Sequence, residues 1–231
     1  MTATAAPSAA AVTALLAEER PLRWLFTGDS ITHGALHTAG ERDYVQLFEE
    51  RLRWELGRLR DHVIRTAISG RRVPDLVADL DWSVLDYRPD VVSLMFGLND
   101  CATPTPDVAA FADAYRAVLD RVQATGAVVV LHTPNRILST ETPERRANLP
   151  AYADAVRMLA AETDALLVDH HAEWAEADEQ NAVEYWIDHG CHPNAAGHRV
   201  LARSLLRSLG LWDQSSPTGR FYIPQAEYLP A

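Results

Sequence analysis

Five short apolar runs, each separated from the next by a longer amphipathic stretch, limit what this chain can fold into. The runs are Leu22–Thr27, Val63–Ile68, Val91–Phe96, Ala127–His132 and Ala165–Asp169. Segments this short and rich in Val, Ile and Leu fit strands buried on both faces. Helical patterns lie between them at Tyr44–Gly57, Pro74–Leu85, Val108–Thr125 and Pro150–Thr163, and a last one runs from Asn194 to about Ser208. Alternation of strand and helix predicts a parallel sheet, because right-handed crossovers lay helices over both of its faces. The fold class expected is α/β, with five parallel strands. No repeat or low-complexity linker divides the sequence, and 231 residues suit one such domain. We expect a tail and short helix over 1–20, the domain over 21–213 and a C-terminal extension over 214–231.

Charge and cysteine usage exclude some partners. A formal net charge of -11 argues against nucleic acid or an anionic membrane as the main partner. The cysteines, Cys101 and Cys191, are far apart, so a reducing compartment is expected rather than a disulfide framework. The Ala-rich start lacks the basic segment of a secretion signal, and Glu18-Glu19-Arg20 follows it at once. No apolar stretch approaches the ~20 residues that span a bilayer. A cytoplasmic location is the expectation.

In sheets of this kind the functional crevice lies outside the carboxyl ends of the strands. Chemistry-bearing segments stand there: Gly28-Asp29-Ser30 after the first run, Ser69-Gly70 after the second and Gly97-Leu98-Asn99-Asp100 after the third. A further one, Asp188-His189-Gly190-Cys191-His192-Pro193-Asn194, leads into the final helix. A serine hydroxyl is a poor nucleophile until a base takes its proton, and His192 is the natural base for Ser30. Charge developing on an ester carbonyl oxygen needs donors already in place. The backbone N–H groups of Ser30 and Gly70 and the side-chain amide of Asn99 are the candidates.

Taken together, Gly28-Asp29-Ser30-Ile31-Thr32, Ile68-Ser69-Gly70, Gly97-Leu98-Asn99-Asp100 and His192-Pro193-Asn194 resemble the sequence blocks of the SGNH, or GDSL, hydrolase family, in the family's order. The resemblance implies a flavodoxin-like three-layer α/β/α sandwich and metal-free esterase, lipase, thioesterase or carbohydrate-deacetylase chemistry. It also implies Ser30 as nucleophile, His192 as base and an oxyanion hole of Ser30, Gly70 and Asn99. The expected substrate is a small-molecule or carbohydrate ester, with a short-chain or acetyl group, and no cofactor is expected. An acyltransferase using the same acyl-enzyme and a non-catalytic ligand-binding relative are the competing readings.

One position departs from that pattern. Family members usually carry the triad Asp three residues before the His, where this chain has His189. Asp188 stands four residues before His192. Asp188 can still serve through a loop one residue longer, a Ser-His dyad can do without it, or Asp169 or Glu173 can replace it.

Several residues have plainer readings. Asp29 and Asp100 read as turn or cap residues and Asn194 as the N-cap of the last helix. His33 reads as an exposed loop residue. Arg71 and Arg72, bordering Gly70, fit either an anionic substrate group or surface ion pairs. Trp54, Trp82, Trp174 and Trp186 read mostly as packing residues, with Trp186 the one best placed for substrate. The cluster His170, His171, His189, Cys191, His192 and His198 matches no familiar zinc spacing, and no metal is expected. The proline-bearing segment Thr133–Pro150 is a candidate lid or pocket wall.

Overall fold

The computed structural model describes residues 7–178 and 182–220. Its strands are β1 (Arg23–Gly28), β2 (His62–Arg65), β3 (Val91–Met95), β4 (Val128–His132) and β5 (Leu166–Val168). All pairings are parallel, in the order β2-β1-β3-β4-β5. Trp24 pairs with Val63 on one side and Val91 on the other, which fixes the register of the three strands nearest the predicted nucleophile. The chain reverses direction across the sheet between β1 and β3, and a crevice opens at such a switch point. The expected five-stranded α/β sandwich is the one observed.

Burial explains why β3 is central. Every residue of Val91–Met95 is buried, and each large apolar side chain there contributes about 1.5–3 kcal/mol relative to exposure. Its one polar residue is satisfied: Ser93 Oγ lies 2.8 Å from His132 Nε2, and His132 Nδ1 lies 2.9 Å from His170 Nε2. Burial alone drives His170 down to about 3, and burial followed by His170 drives His132 well below the usual imidazole range. The ladder is therefore neutral.

Helices α1 (Pro7–Leu16), α2 (Ser30–His33) and α3 (Tyr44–Glu49) precede α4 (Val73–Ser83), α5 (Val108–Gln123) and α6 (Pro143–Thr163). They are followed by α7 (His170–Asp178), α8 (Val183–Trp186) and α9 (Ala195–Ser208). Helix α3 packs on α9, whereas α4 packs on α5 and α5 on α6, and α1 lies against β4 and β5.

Three features differ from the sequence expectation. The expected helix at Tyr44–Gly57 changes hand-hold midway: after α3 it continues as a π-helix over Glu50–Glu55, closed by Leu56 N–H on the Arg51 carbonyl at 3.0 Å. Helix α6 begins at Pro143 rather than Pro150, so part of the candidate lid is helix. Thr142 caps it by accepting from Arg145 N–H at 3.3 Å, Pro143 fits the first turn, and Pro150 lies inside. Burial of Leu149, Tyr152 and Val156 outweighs the break that Pro150 would otherwise make. Finally, Trp54 and Trp82 are 67% and 63% exposed, so only Trp174 and Trp186 of the four are packing residues.

Candidate active site

The turn carrying Ser30 is determined residue by residue. A Cβ on Gly28 would stand 2.6 Å from both the Met95 carbonyl oxygen and Thr32 Oγ1, so only glycine lets β1 end this close to β3. Asp29 caps α2 by accepting from Ile31 N–H at 2.9 Å. Gly34 closes the turn at φ +68, where a Cβ would also strike Asp43 at 2.7 Å. Thr32 Oγ1 meets Tyr44 Oη at 2.9 Å and ties the turn to α3. Ser30 thus heads a four-residue helix held at both ends.

Beside it, Ile68 N–H donates to the Gly28 carbonyl at 3.1 Å, and His33 Nδ1 lies 2.9 Å from Ser69 Oγ. Exposed His33 therefore links the first two blocks. Gly70 sits at φ +83 with open space where a Cβ would point, so its conformation rather than its room calls for glycine. Asp100 accepts from Val73 N–H at 2.9 Å and Gly97 N–H at 3.1 Å, pinning the loop that bears Asn99. The Asn99 amide donates to Asp29 Oδ2 and to the Arg71 carbonyl, each at 3.2 Å. Burial raises Asp29 to about 7. Arg71 turns inward, with its guanidinium on Asp79 and on Ser83 Oγ, so it makes internal contacts instead of facing a substrate.

His192 arrives from the far end of the chain. Ile187 and Pro193 form an antiparallel bridge. Between them, Asp188 N–H donates to the His192 carbonyl at 2.8 Å, and His192 N–H donates to the His189 carbonyl at 3.0 Å. Asn194 then caps α9 by accepting from Ala196 and Gly197 N–H groups at 2.9 and 3.1 Å. The result is a distance of 3.0 Å between Ser30 Oγ and His192 Nε2, across 162 residues of chain. Burial first, and then the neighbouring His37 ring, hold His192 below the usual imidazole range. It is neutral, and able to accept a proton, at neutral pH.

The acid stands apart. Asp188 Oδ2 lies 3.0 Å from His37 Nδ1 and 3.9 Å from His189 Nε2. The His37 bond holds Asp188 below the usual carboxylate range. His192 Nδ1 instead faces Cys191 Sγ at 3.6 Å, and burial pushes that thiol up to about 12. The other acids considered are engaged elsewhere. Asp169 pairs with Arg157 at 2.7 Å, and Glu173 binds Arg203 at 3.0 Å and also Ser204.

Sequence reasoning missed the groups that support His192 from outside its own segment. His37 stacks on it, with ring centroids 4.0 Å apart and planes 11° from parallel. Asn135 donates to the Cys191 carbonyl at 3.1 Å, and Leu138 N–H donates to the Gly190 carbonyl at 2.7 Å. Arg145 holds Glu141 at 2.5 Å and reaches Cys191 Sγ at 3.6 Å. None belongs to a motif, and no spacing announces them. Trp186 packs edge-on against Trp174 at 5.2 Å and is buried, which corrects its candidacy for substrate stacking. His170 and His198 are likewise internal: His198 Nδ1 accepts from Tyr44 N–H at 3.2 Å.

The model of the GDSL-like lipase/acylhydrolase family matches residues 26–200. The acetylxylan esterase of Geobacillus stearothermophilus is 32% identical over 209 residues, covering 83% of this chain and 95% of the relative. A crystal structure of the acetylxylan esterase from that organism superposes with a TM-score of 0.72 at 28% identity, covering 82% of this chain and 94% of the other. An α/β hydrolase from the metagenome of Lake Arreo, Spain, gives a TM-score of 0.72 at 25% identity over 82% of this chain and 95% of its own. With the family's blocks in order along a matched sheet, the chain belongs to the GDSL-like lipase/acylhydrolase family and is a carboxylic ester hydrolase.

Proposed function

We propose that this hydrolase removes small acyl groups, acetyl above all, from a carbohydrate, through an acyl-enzyme on Ser30. The observation that carries the reading is the 3.0 Å approach of Ser30 Oγ to His192 Nε2 at the switch point of the sheet. His192 Nε2 takes the Ser30 proton as Oγ attacks the ester carbonyl. The tetrahedral oxyanion meets the N–H groups of Ser30 and Gly70 and the Asn99 amide. His192 then returns the proton to the leaving alcohol oxygen, and the carbon–oxygen bond breaks to leave acyl-Ser30. Water, deprotonated by the same imidazole, repeats the sequence and frees the carboxylic acid.

The Asn99 amide is already fixed by two long hydrogen bonds. Turning one N–H from the Arg71 carbonyl toward the oxyanion costs little reorganisation, and such a donor typically lowers the barrier by about 3–4 kcal/mol. The sugar preference rests on the likeness to acetylxylan esterase. For that esterase, variants in which a serine, an aspartate and a histidine are each replaced by alanine are described as catalytic mutants.

The test pairs labelling with turnover. A serine-reactive fluorophosphonate should label the wild type and spare Ser30→Ala, and acetylated xylooligosaccharides should release acetate faster than esters of longer acids release theirs. Persistent labelling of the variant would overturn the nucleophile. A preference for long acyl chains would overturn the substrate class, and acyl transfer to an added alcohol in place of hydrolysis would make the enzyme an acyltransferase.

A further inference from the structure

His37 touches both of the groups that a triad would join directly. Its ring lies flat on His192, 4.0 Å between centroids, and its Nδ1 is 3.0 Å from Asp188 Oδ2. An ionised carboxylate can only accept, so Nδ1 carries the proton and donates it to Asp188. The loop that delivers His37 is bent against backbone preference: Leu36 and Ala39 sit at φ +69 and +53. Non-glycine residues hold such angles where surrounding structure imposes them, and they cluster at working sites. Buried Thr38 and its carbonyl, which accepts from Glu41 N–H at 3.0 Å, anchor the same loop.

We propose that His37 is a positioning residue of the ester hydrolysis, through which Asp188 supports His192 by a ring stack in place of a direct Asp–His hydrogen bond. This rests on the reading of Ser30 and His192 as nucleophile and base. The stack does two things. It restrains the tilt of the His192 ring, keeping Nε2 on Ser30 Oγ. It also presents the ring face of an imidazole, made richer in electrons by its bond to Asp188, to the imidazolium that forms when Ser30 gives up its proton. Among the described residues, no other contact of His192 supplies both. Cys191 Sγ at Nδ1 is a neutral thiol and a weak acceptor. Arg145 and Glu141, charged groups facing this loop, are paired with each other, and exposed His189 packs edge-on against His37 at 5.6 Å and lies 3.9 Å from Asp188, without a contact to the His192 ring.

A double-variant cycle in the full chain tests the route. Steady-state hydrolysis of p-nitrophenyl acetate would be measured for His37→Ala, His37→Phe, Asp188→Asn and the combinations with Asp188→Asn. Each of His37→Ala and Asp188→Asn should lower kcat about tenfold, with KM nearly unchanged. The double variant should be no slower than the slower single, because the carboxylate's hydrogen-bonded route to the base runs through His37. His37→Phe keeps the ring and should recover part of kcat, while becoming insensitive to Asp188→Asn. Penalties that multiply in the double variant would overturn the proposal, since Asp188 would then reach His192 without His37. A wild-type kcat in His37→Ala would overturn it equally. Thermal unfolding checks each variant, and the His37→Phe cycle carries the same logic should His37→Ala fail to fold. Ser30→Ala run alongside separates the two failures: a Ser30→Ala enzyme that still turns over sinks the underlying pair, whereas an inactive one with multiplying penalties sinks the His37 route alone.

Discussion

The two sides of the Ser30–His192 pair are built in opposite ways. Ser30 stands in a turn whose determinants lie within a few residues of it: Gly28 for close approach to β3, Asp29 as cap, Gly34 as closure. His192 stands in a loop held from outside by Asn135, Leu138, Arg145 and His37, which are remote from it in sequence. The difference teaches where each side is vulnerable. The nucleophile turn fails by steric intrusion into a space that has no slack. The base loop fails by loss of a distant partner, with its own residues untouched.

The severest break of that comparison is removal of the base. His192→Ala should reduce kcat by roughly 10⁴–10⁶-fold with the fold retained, as removal of a triad member does elsewhere, checked by steady-state kinetics beside circular dichroism. Retention of more than a tenth of the activity would break the pairing.

Next in size is Gly28→Ala. Its Cβ would meet the Met95 carbonyl and Thr32 Oγ1 at 2.6 Å, and one of these is backbone that cannot swing away. A loss of about 1–3 kcal/mol in urea unfolding is expected, together with a fall in kcat, because the strain is relieved by moving Ser30. Asn135→Ala sharpens the contrast from the other side. It removes a buried donor to the Cys191 carbonyl, so about 1 kcal/mol of stability should go, with kcat falling more than the stability loss accounts for. In the base loop, Asp188→Ala should lower kcat clearly and His189→Ala only slightly. The reverse ranking would remove Asp188 from the account.

Smallest at neutral pH is an effect of acid on the layer beneath both regions. Burial drives His170 and His198 to about 3, below an unfolded value near 6.5. The unfolded chain therefore binds more protons between those limits. Stability should be fully present above about pH 6.5 and fall as pH drops toward 3. Denaturant midpoints measured from pH 7 to pH 4 check the sign. A midpoint that is flat or rises on acidification would contradict neutral histidines in the core.

The sequence exposed what is local. Periodicity located β1 and β3 almost to the residue, since a strand buried on both faces must read as an unbroken apolar run. Ser30, Gly70, Asn99 and His192 could be named because each follows or precedes a recognisable element. What stayed hidden depends on packing between distant segments. The start of α6 was masked by Pro150, whose local cost is outweighed by burial of Tyr152 and Val156. Trp54 and Trp82 looked like core residues because a tryptophan gives no sign of which helix face it occupies. His37 lay in a turn-rich stretch with no motif, and only the folded chain brings it onto His192.

The pairing of Ser30 with His192 is tested most directly by trapping the acyl-enzyme. Protein quenched in acid during turnover of p-nitrophenyl acetate, then digested and analysed by mass spectrometry, should carry one acetyl group on the peptide containing Ser30. The label should be absent from Ser30→Ala and from His192→Ala. Acetyl found on another residue, or full turnover by Ser30→Ala, would contradict the account.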